Sequence, residues 1–404
     1  MKPEKISKGK PPKTVRKAEE PVSRAHLYFG AVVAALAVSL GLTHFFVSSP
    51  ISAVSFELPD PDPLPSDSRL SDVQLLLEDQ IYGPESIAVN HKTGKVFVGL
   101  KTGLICELKV STKGAKIVQA VRLTSREDCD GSYKASTLCG RPLGLRVDED
   151  DTLIVVDAYL GVFAVNWKNS SVQALLRGGA QITNDDSAVP VRYLNDVGIL
   201  PDGRLILSES STKFDDRDCI FDMLEHRPNG RVLAFDPKDK SLVVLVDNLY
   251  FPNGITIFRG QILIAEMGLA RILKFSPSRE TYKVLVDNLP GYPDNLRSAH
   301  DGNIWVPIPV TRSSSDNWIS RHPAIRELIA KVFSPQALTW LLDFLSSPEG
   351  LVLKISPESG EILDILRDTT GKVTAITTAI EDGKGNLLLG SDTNFYLGRV
   401  KLDN

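Results

Sequence analysis

Apolar and polar positions alternate along most of this chain in short runs. The runs are bounded by Gly, Pro, Asp and Asn, which is the pattern of strands joined by tight turns. Examples are Lys95-Val96-Phe97-Val98-Gly99, Thr152-Leu153-Ile154-Val155-Val156, Arg204-Leu205-Ile206-Leu207, Gln261-Ile262-Leu263-Ile264, Asn303-Ile304-Trp305-Val306 and Asn386-Leu387-Leu388-Leu389. A further β run follows each of them, at Gly103, Gly161, Gly230, Ala270, Gly350 and Leu397. One recurring design precedes five of them: Gly83-Pro84-Glu85-Ser86-Ile87, Arg141-Pro142-Leu143-Gly144-Leu145, Tyr193-Leu194-Asn195-Asp196-Val197, Phe251-Pro252-Asn253-Gly254-Ile255 and Tyr292-Pro293-Asp294-Asn295-Leu296. The sixth follows the run 372–380. Six copies of strand–turn–strand–turn–strand, each with room for a fourth strand, predict an all-β fold, a six-bladed β-propeller. A β-sandwich uses the same kinds of residue but does not repeat one motif. The early run 73–77 has no blade of its own and is expected to pair with the last blade and close the ring.

Two stretches break the pattern. Residues 27–49 contain no Asp, Glu, Lys or Arg, and a helix of ~20 apolar residues spans a bilayer. The preceding 1–26 carries eight Lys and Arg against three Glu, and such a flank stays in the cytosol. The expected arrangement is a basic cytosolic tail (1–26), a transmembrane signal anchor (27–49), a Pro-rich stalk (50–70) and the propeller (71–404). The chain is then a single-pass type II membrane protein of the plasma membrane or endoplasmic reticulum, its propeller lumenal or extracellular. A cleaved signal peptide is the competing reading, and the long leading segment argues against it. The second break is 321–347, apolar at helical spacing and interrupted by Pro335. It predicts a short helical insertion in the fifth blade, packed on one face, with a lid or a second membrane contact as the sharper alternatives.

Composition adds little to this. The chain has 404 residues, a net charge of -4 and ordinary hydrophobic content, which gives no nucleic-acid surface. Cys129 and Cys139 share one polar loop and, in a secretory context, are expected to form a disulfide. Cys106 and Cys219 read as buried thiols. Asn169-Ser170-Ser171 is the only N-glycosylation sequon. The oligomeric state is not legible.

The candidate chemistry lies at the position after each Pro (once Leu194), occupied by Glu85, Leu143, Asn195, Asn253 and Asp294. In a propeller the innermost strands line one axial channel, so equivalent positions face one another. Two carboxylates and two amide oxygens there suit a hard cation, Ca²⁺ better than Zn²⁺. The competing reading is that Pro-Asn-Gly and Pro-Asp-Asn merely form turns. Asp196 and Asn295, one residue further on, are expected to support the ligands from behind. The chain shows no Gly-x-Ser-x-Gly, His-Glu-x-x-His, P-loop or Rossmann glycine set. Any hydrolysis therefore has to be metal-assisted.

These motifs, with Cys139-Gly140-Arg141-Pro142 and Val156-Asp157-Ala158-Tyr159-Leu160-Gly161, resemble the strictosidine synthase-like family. Its wider relatives are the paraoxonase/arylesterases and the gluconolactonase/regucalcin lactonases. The resemblance implies a six-bladed propeller with a divalent ion, usually Ca²⁺, held at the positions of Glu85, Asn195, Asn253 and Asp294. It also implies hydrolysis of aryl esters or lactones, with Glu85, Asp294 and Arg141 as the groups at the reacting centre. Where lactonases tend to place a further polar residue, this chain has Leu143, with Arg141 alongside to meet an anionic substrate or Glu85. The last inner strand, 373–380, lacks the carboxylate that strictosidine synthase uses, so that condensation is not expected. The alternative function is a non-catalytic receptor or scaffold at the membrane.

Overall fold

The computed structural model describes residues 24–65, 67–183, 189–314, 316–345 and 348–402. The chain divides into two compact units, Met1–Ser48 and Ser49–Asn404. In the first, helix α1 (Arg24–Phe46) runs for 23 residues. Counting only described residues, no helix is long and apolar enough to cross a membrane. The side chains of 24–27, Gly30, Leu36 and Ala37 lie outside that set, so the apolar run expected over 27–49 falls partly beyond it, as does the tail 1–23.

The second unit is the expected six-bladed propeller. Blade 1 holds Pro84–Asn90, Lys95–Leu100, Leu104–Ser111 and Gly114–Arg122. Blade 2 holds Pro142–Val147, Leu153–Asp157, Gly161–Asn166 and Ser171–Arg177. Blade 3 holds Tyr193–Ile199, Leu205–Ser211, Gly230–Phe235 and Leu242–Leu249, and blade 4 holds Pro252–Phe258, Gln261–Glu266, Arg271–Ser276 and Thr281–Val286. Blade 5 holds Arg297–Ser298, Ile304–Pro307, Gly350–Ile355 and Ile362–Asp368. Blade 6 is built from Thr378–Glu381, Asn386–Gly390 and Leu397–Lys401, and its fourth strand is Gln74–Leu76 from the start of the unit. The early apolar run thus closes the ring by pairing the start of the unit with its last strand in one sheet.

Burial follows position in the blade. Every residue of the inner strand Pro84–Asn90 is buried, whereas the outer strand Gly114–Arg122 has none buried. Apolar side chains fill the wedges between blades: Phe97 of blade 1 packs with Leu145 and Val155 of blade 2, and Leu263 of blade 4 with Val306 and Leu351 of blade 5. Each such side chain contributes about 1.5–3 kcal/mol on burial.

The short helices cluster around the loops. They are α2 (Ser136–Cys139), α3 (Cys219–Glu225), α4 (Asp316–Ser320), α5 (Pro323–Val332) and α6 (Pro335–Leu345). Pro323 and Pro335 open α5 and α6, where the missing N–H costs nothing. The insertion therefore breaks at Pro335 as expected, with α4 as a further short turn. α3 leaves the end of Leu205–Ser211, and the insertion leaves the end of Ile304–Pro307. Both strands run opposite to their inner neighbours, so both loops emerge on the side where the inner strands begin. There α5 and α6 pack on α3 through Phe214, Phe221, Ala330 and Leu338.

Within the stalk expected over 50–70, residues 51–65 form no helix or strand, and their first part lies against this helical layer. Ile51 is buried in the Phe214–Leu338 cluster. The Val54 N–H donates to Glu225 O (3.2 Å), and Ser52 N–H donates to Glu225 Oε1 (2.7 Å). Phe56 stacks on His226 with ring centres 3.3 Å apart. The disulfide Cys129–Cys139 is formed; Cys106 is a buried free thiol and Cys219 a half-buried one.

A candidate metal centre in the axial channel

The inner strands do not start as regular ladders. In blade 1 the pairing register shifts between Pro84 and Ser86, in blade 2 between Pro142 and Gly144, in blade 3 between Leu194 and Val197, and in blade 4 between Pro252 and Ile255. The residues skipped by these bulges are Glu85, Leu143, Asn195 with Asp196, and Asn253 with Gly254. A bulge leaves its extra residue unpaired and re-aims the side chain. The repeated position in the sequence is thus a repeated structural device. Gly254 shows how tightly the strands converge: a Cβ there would lie 2.3 Å from Asp294 O and from Leu296 N. Asp294 itself precedes the short inner strand of blade 5, fixed by its N–H to Pro307 O (3.1 Å).

All four expected ligands are buried, between 3% and 5% exposed. Each keeps one buried oxygen without a hydrogen-bond partner: Glu85 Oε2, Asn195 Oδ1, Asn253 Oδ1 and Asp294 Oδ1. Burying an unpaired polar oxygen is costly, so such atoms point to a missing partner. The other ends of three side chains are tied back. Asn195 Nδ2 donates to Ser210 Oγ (3.1 Å), and Ser210 Oγ donates to Pro252 O (2.9 Å). Asn253 Nδ2 points to Met267 Sδ (3.7 Å). Asn295 Nδ2 donates to Glu85 Oε1 (2.8 Å). The donors are anchored in protein and the acceptors are left over.

The electrostatics agree. Burial pushes the Glu85 carboxyl well above the usual range, and the Asp294 charge adds to the effect. Burial, then the charge of Asp392, pushes Asp294 up as well. The charges of Arg141 and Arg297 pull Glu85 part of the way back, but the ion pairs of the arginines on the inner strands go to Asp196. Arg297 Nη1 donates to Asp196 Oδ2 (3.0 Å), and Arg146 Nη1 and Nη2 grip both Asp196 oxygens (3.2 and 3.1 Å). Two carboxylates and two amide oxygens make a donor set whose chemistry fits Ca²⁺. The set holds only two carboxylates; among the described residues no group of three or more His, Cys, Asp and Glu could hold a metal.

The remaining expectations sort clearly. Asn295 bonds to Glu85, and Arg297 Nη2 in turn donates to Asn295 Oδ1 (3.2 Å). Asp196 bonds to no ligand: it accepts from Arg146, Arg297 and the Ile255 N–H (2.9 Å) and so ties blades 2, 3, 4 and 5 together. Arg146 and Arg297 were not expected, although a charged residue inside an inner-strand apolar run is a sign of such a network. Leu143 occupies its bulge in an apolar cluster with Ala158, Tyr193 and Phe251. Arg141, 2% exposed, lies 3.9 Å from Asp216 and 3.8 Å from Asp392, not in an ion pair with Glu85. Its Nε and Nη1 make no hydrogen bond. Tyr159 and Tyr193 donate to the two Asp216 oxygens (3.2 and 3.1 Å) and hold that carboxylate at the mouth. Helix α6 reaches the same place, where burial and the Asp392 charge push the Asp343 carboxyl up.

The other end of the channel carries a second polar group. Glu381, at the end of the blade 6 inner strand, accepts from Trp305 Nε1 (2.8 Å) and pairs with His300. His300 also touches His91. The only carboxylate of that strand is therefore at the end remote from the four ligands, so 373–380 brings none to them.

A six-bladed propeller with an axial oxygen cluster is a class shared by many proteins, and comparison narrows it. Family models described as strictosidine synthase and as strictosidine synthase-like, N-terminal, match residues 195–275 and 62–108. The chain is 34% identical over 398 residues to the adipocyte plasma membrane-associated protein of Salmo salar, covering 93% of this chain and 92% of that one. To the human protein of the same name it is 31% identical, over 83% and 79% of the two chains. To an Arabidopsis thaliana protein named strictosidine synthase-like 3 it is 30% identical, over 82% and 87%. Among solved structures, a gluconolactonase from Xanthomonas campestris superposes with a TM-score of 0.53 at 13% identity, over 87% of this chain and all of that one. A calcium-binding regucalcin from Agrobacterium tumefaciens gives 0.52 at 11%, over 81% and 93%; at such identities these two show the fold. The chain belongs to the strictosidine synthase-like family, with the adipocyte plasma membrane-associated proteins as its relatives.

Proposed function

We propose that this protein is a membrane-anchored, Ca²⁺-dependent hydrolase of aryl esters or lactones. The observation that carries the reading is the coincidence of four buried, unpartnered oxygens on four blades, at Glu85, Asn195, Asn253 and Asp294. These residues would hold the cation, which supplies Lewis-acid polarisation of a carbonyl oxygen. Asn295 fixes the Glu85 carboxylate, and Ser210 fixes the Asn195 amide. Glu85 and Asp294 are the candidate catalytic groups and would bind the cation as carboxylates, its charge offsetting the burial that raises both in its absence. Arg141 presents unpartnered N–H groups from the mouth and meets a substrate oxygen. Leu143, Tyr193 and Phe251 give the wall an apolar stretch for an aryl or acyl group.

Helix α1 serves as the single span, with the propeller lumenal or extracellular; the disulfide Cys129–Cys139 suits that compartment. Asn169, exposed in a turn, takes the glycan. The plasma-membrane names of the relatives support this placement.

The test is hydrolysis of phenyl acetate and a lactone panel by the purified full chain in detergent. Activity is expected to require Ca²⁺, to vanish on chelation and to vanish in Glu85→Gln. Turnover that survives both treatments contradicts the reading. A cation-dependent fold with no turnover assigns the propeller to binding instead, a reading that the apolar Leu143 in the second bulge favours.

A further inference from the structure

Of the four tryptophans in the chain, two are buried in the propeller: Trp167 at 6% exposure and Trp305 at 1%. The other two both lie in the insertion and are open to solvent, Trp318 at 57% and Trp340 at 67%. They are not isolated. Val332, Phe333, Leu342 and Phe344 are also exposed, Phe344 at 73%, so six large apolar side chains stand out within one 30-residue segment. Trp340 and Phe344 stack on each other on α6, with ring centres 5.8 Å apart. The inner face of the same helices is already satisfied, through Ala330 and Leu338 against Phe214 and Phe221. The outward face is what remains.

Chain length says what can cover it. α1 ends at Phe46, and Ile51 is already buried in the cluster beneath the insertion. Five residues reach at most about 18 Å. Arg326 reinforces this attachment by donating to Val54 O, Leu224 O and Ser320 O. With α1 in a bilayer, this short tether keeps Ile51, and the cluster in which it is buried, within that reach of the membrane. Trp and Phe on a helix face are the side chains that settle at the boundary of headgroups and acyl chains.

We propose that the exposed face of α4–α6 is a membrane-contact surface that lies in the lipid interface, on the same side of the propeller as the channel mouth. The proposal rests on the span proposed for α1. A stable protein partner on this face is an outcome of the test and not the proposal.

The experiment places the full chain in phosphatidylcholine vesicles and compares tryptophan emission with that in vesicles of dibrominated phosphatidylcholine. Bromine quenches only indoles in contact with lipid. Roughly half the emission should be lost, since two of four tryptophans face outward. Replacing both by Phe should abolish the quenching, and Phe344→Glu, at an exposed site, should weaken it without unfolding the protein. Alkaline carbonate extraction of the same vesicles reports the anchor separately. A chain that resists extraction but shows no quenching overturns the proposal and leaves the anchor standing. A chain that is extracted and was quenched supports the surface and removes the anchor. A protein partner that stays bound to the insertion in these vesicles and prevents the quenching also overturns the proposal.

Discussion

Asn295 donates its side-chain amide to Glu85 Oε1 at 2.8 Å, joining the approach to the blade 5 inner strand to the blade 1 bulge. The bond uses one Glu85 oxygen and leaves the other buried without a partner. Asn295→Ala should therefore loosen Glu85 without removing it. Cation affinity should fall about 10- to 100-fold, the usual effect of losing a group that orients a ligand, while Glu85→Gln should abolish binding. Calorimetric titration of Ca²⁺ into the two variants separates these outcomes.

Asp196, Arg146 and Arg297 form a buried ionic group that makes no contact with the candidate ligands' free oxygens. Breaking such a pair leaves an uncompensated charge and costs about 3–5 kcal/mol. Asp196→Asn is expected to lower the unfolding free energy by that amount, read from urea denaturation, whether or not Ca²⁺ is present. A loss confined to the Ca²⁺-loaded form would instead place Asp196 at the metal.

The contrast between these residues shows what a sequence exposes. Glu85, Asn195 and Asn253 stood out because one local device, a bulge after Pro or Leu, recurs on successive inner strands. Closure of the ring by 74–76 was legible because that run had no partner in its own neighbourhood. Asp196 was misplaced as a support for the ligands, since its partners Arg146 and Arg297 are 50 and 101 residues away. No local pattern carries such a pairing. The docking of 51–56 on α3 and α5 is hidden for the same reason: its Pro-rich neighbour 57–65 reads as an independent spacer, while the contacts that hold it lie near 225 and 326.

His226 gives a pH dependence with a definite sign. Burial, then the neighbouring Arg326 charge, lowers its pKa to about 3, against an ordinary 6.5. The folded state therefore excludes a proton that the unfolded state accepts, and stability is present above pH 6.5 and lost as pH falls from 6.5 towards 3. At about 1.4 kcal/mol per unit, pH 5 should cost up to roughly 2 kcal/mol. Burial raises Asp222, which lies nearby on α3, to about 6; it acts in the opposite direction, favouring the fold as pH falls from 6 towards 4. His226→Phe should flatten the His226 share, measured as urea midpoints between pH 5 and 7.5. An unchanged slope would show that His226 is not the group responsible for the loss of stability at low pH.

The disulfide Cys129–Cys139 closes a loop with a sequence separation of 10. Chain entropy assigns such a loop about 3 kcal/mol. Cys129→Ser with Cys139→Ser should lower stability by roughly that amount, visible as an earlier thermal midpoint, and leave cation binding unchanged because neither residue reaches the axial oxygens.

The most direct measurement of the central claim is Ca²⁺ titration of the chelator-treated full chain, followed by its thermal midpoint. One equivalent of Ca²⁺ should bind. At a hundredfold excess over the dissociation constant it should add about 2.7 kcal/mol of stability. Glu85→Gln should bind none and should unfold no earlier than the cation-free wild type, because it removes a buried charge. Absence of stoichiometric binding in the wild type, or an undiminished Ca²⁺ response in Glu85→Gln, would contradict a metal centre formed by Glu85, Asn195, Asn253 and Asp294.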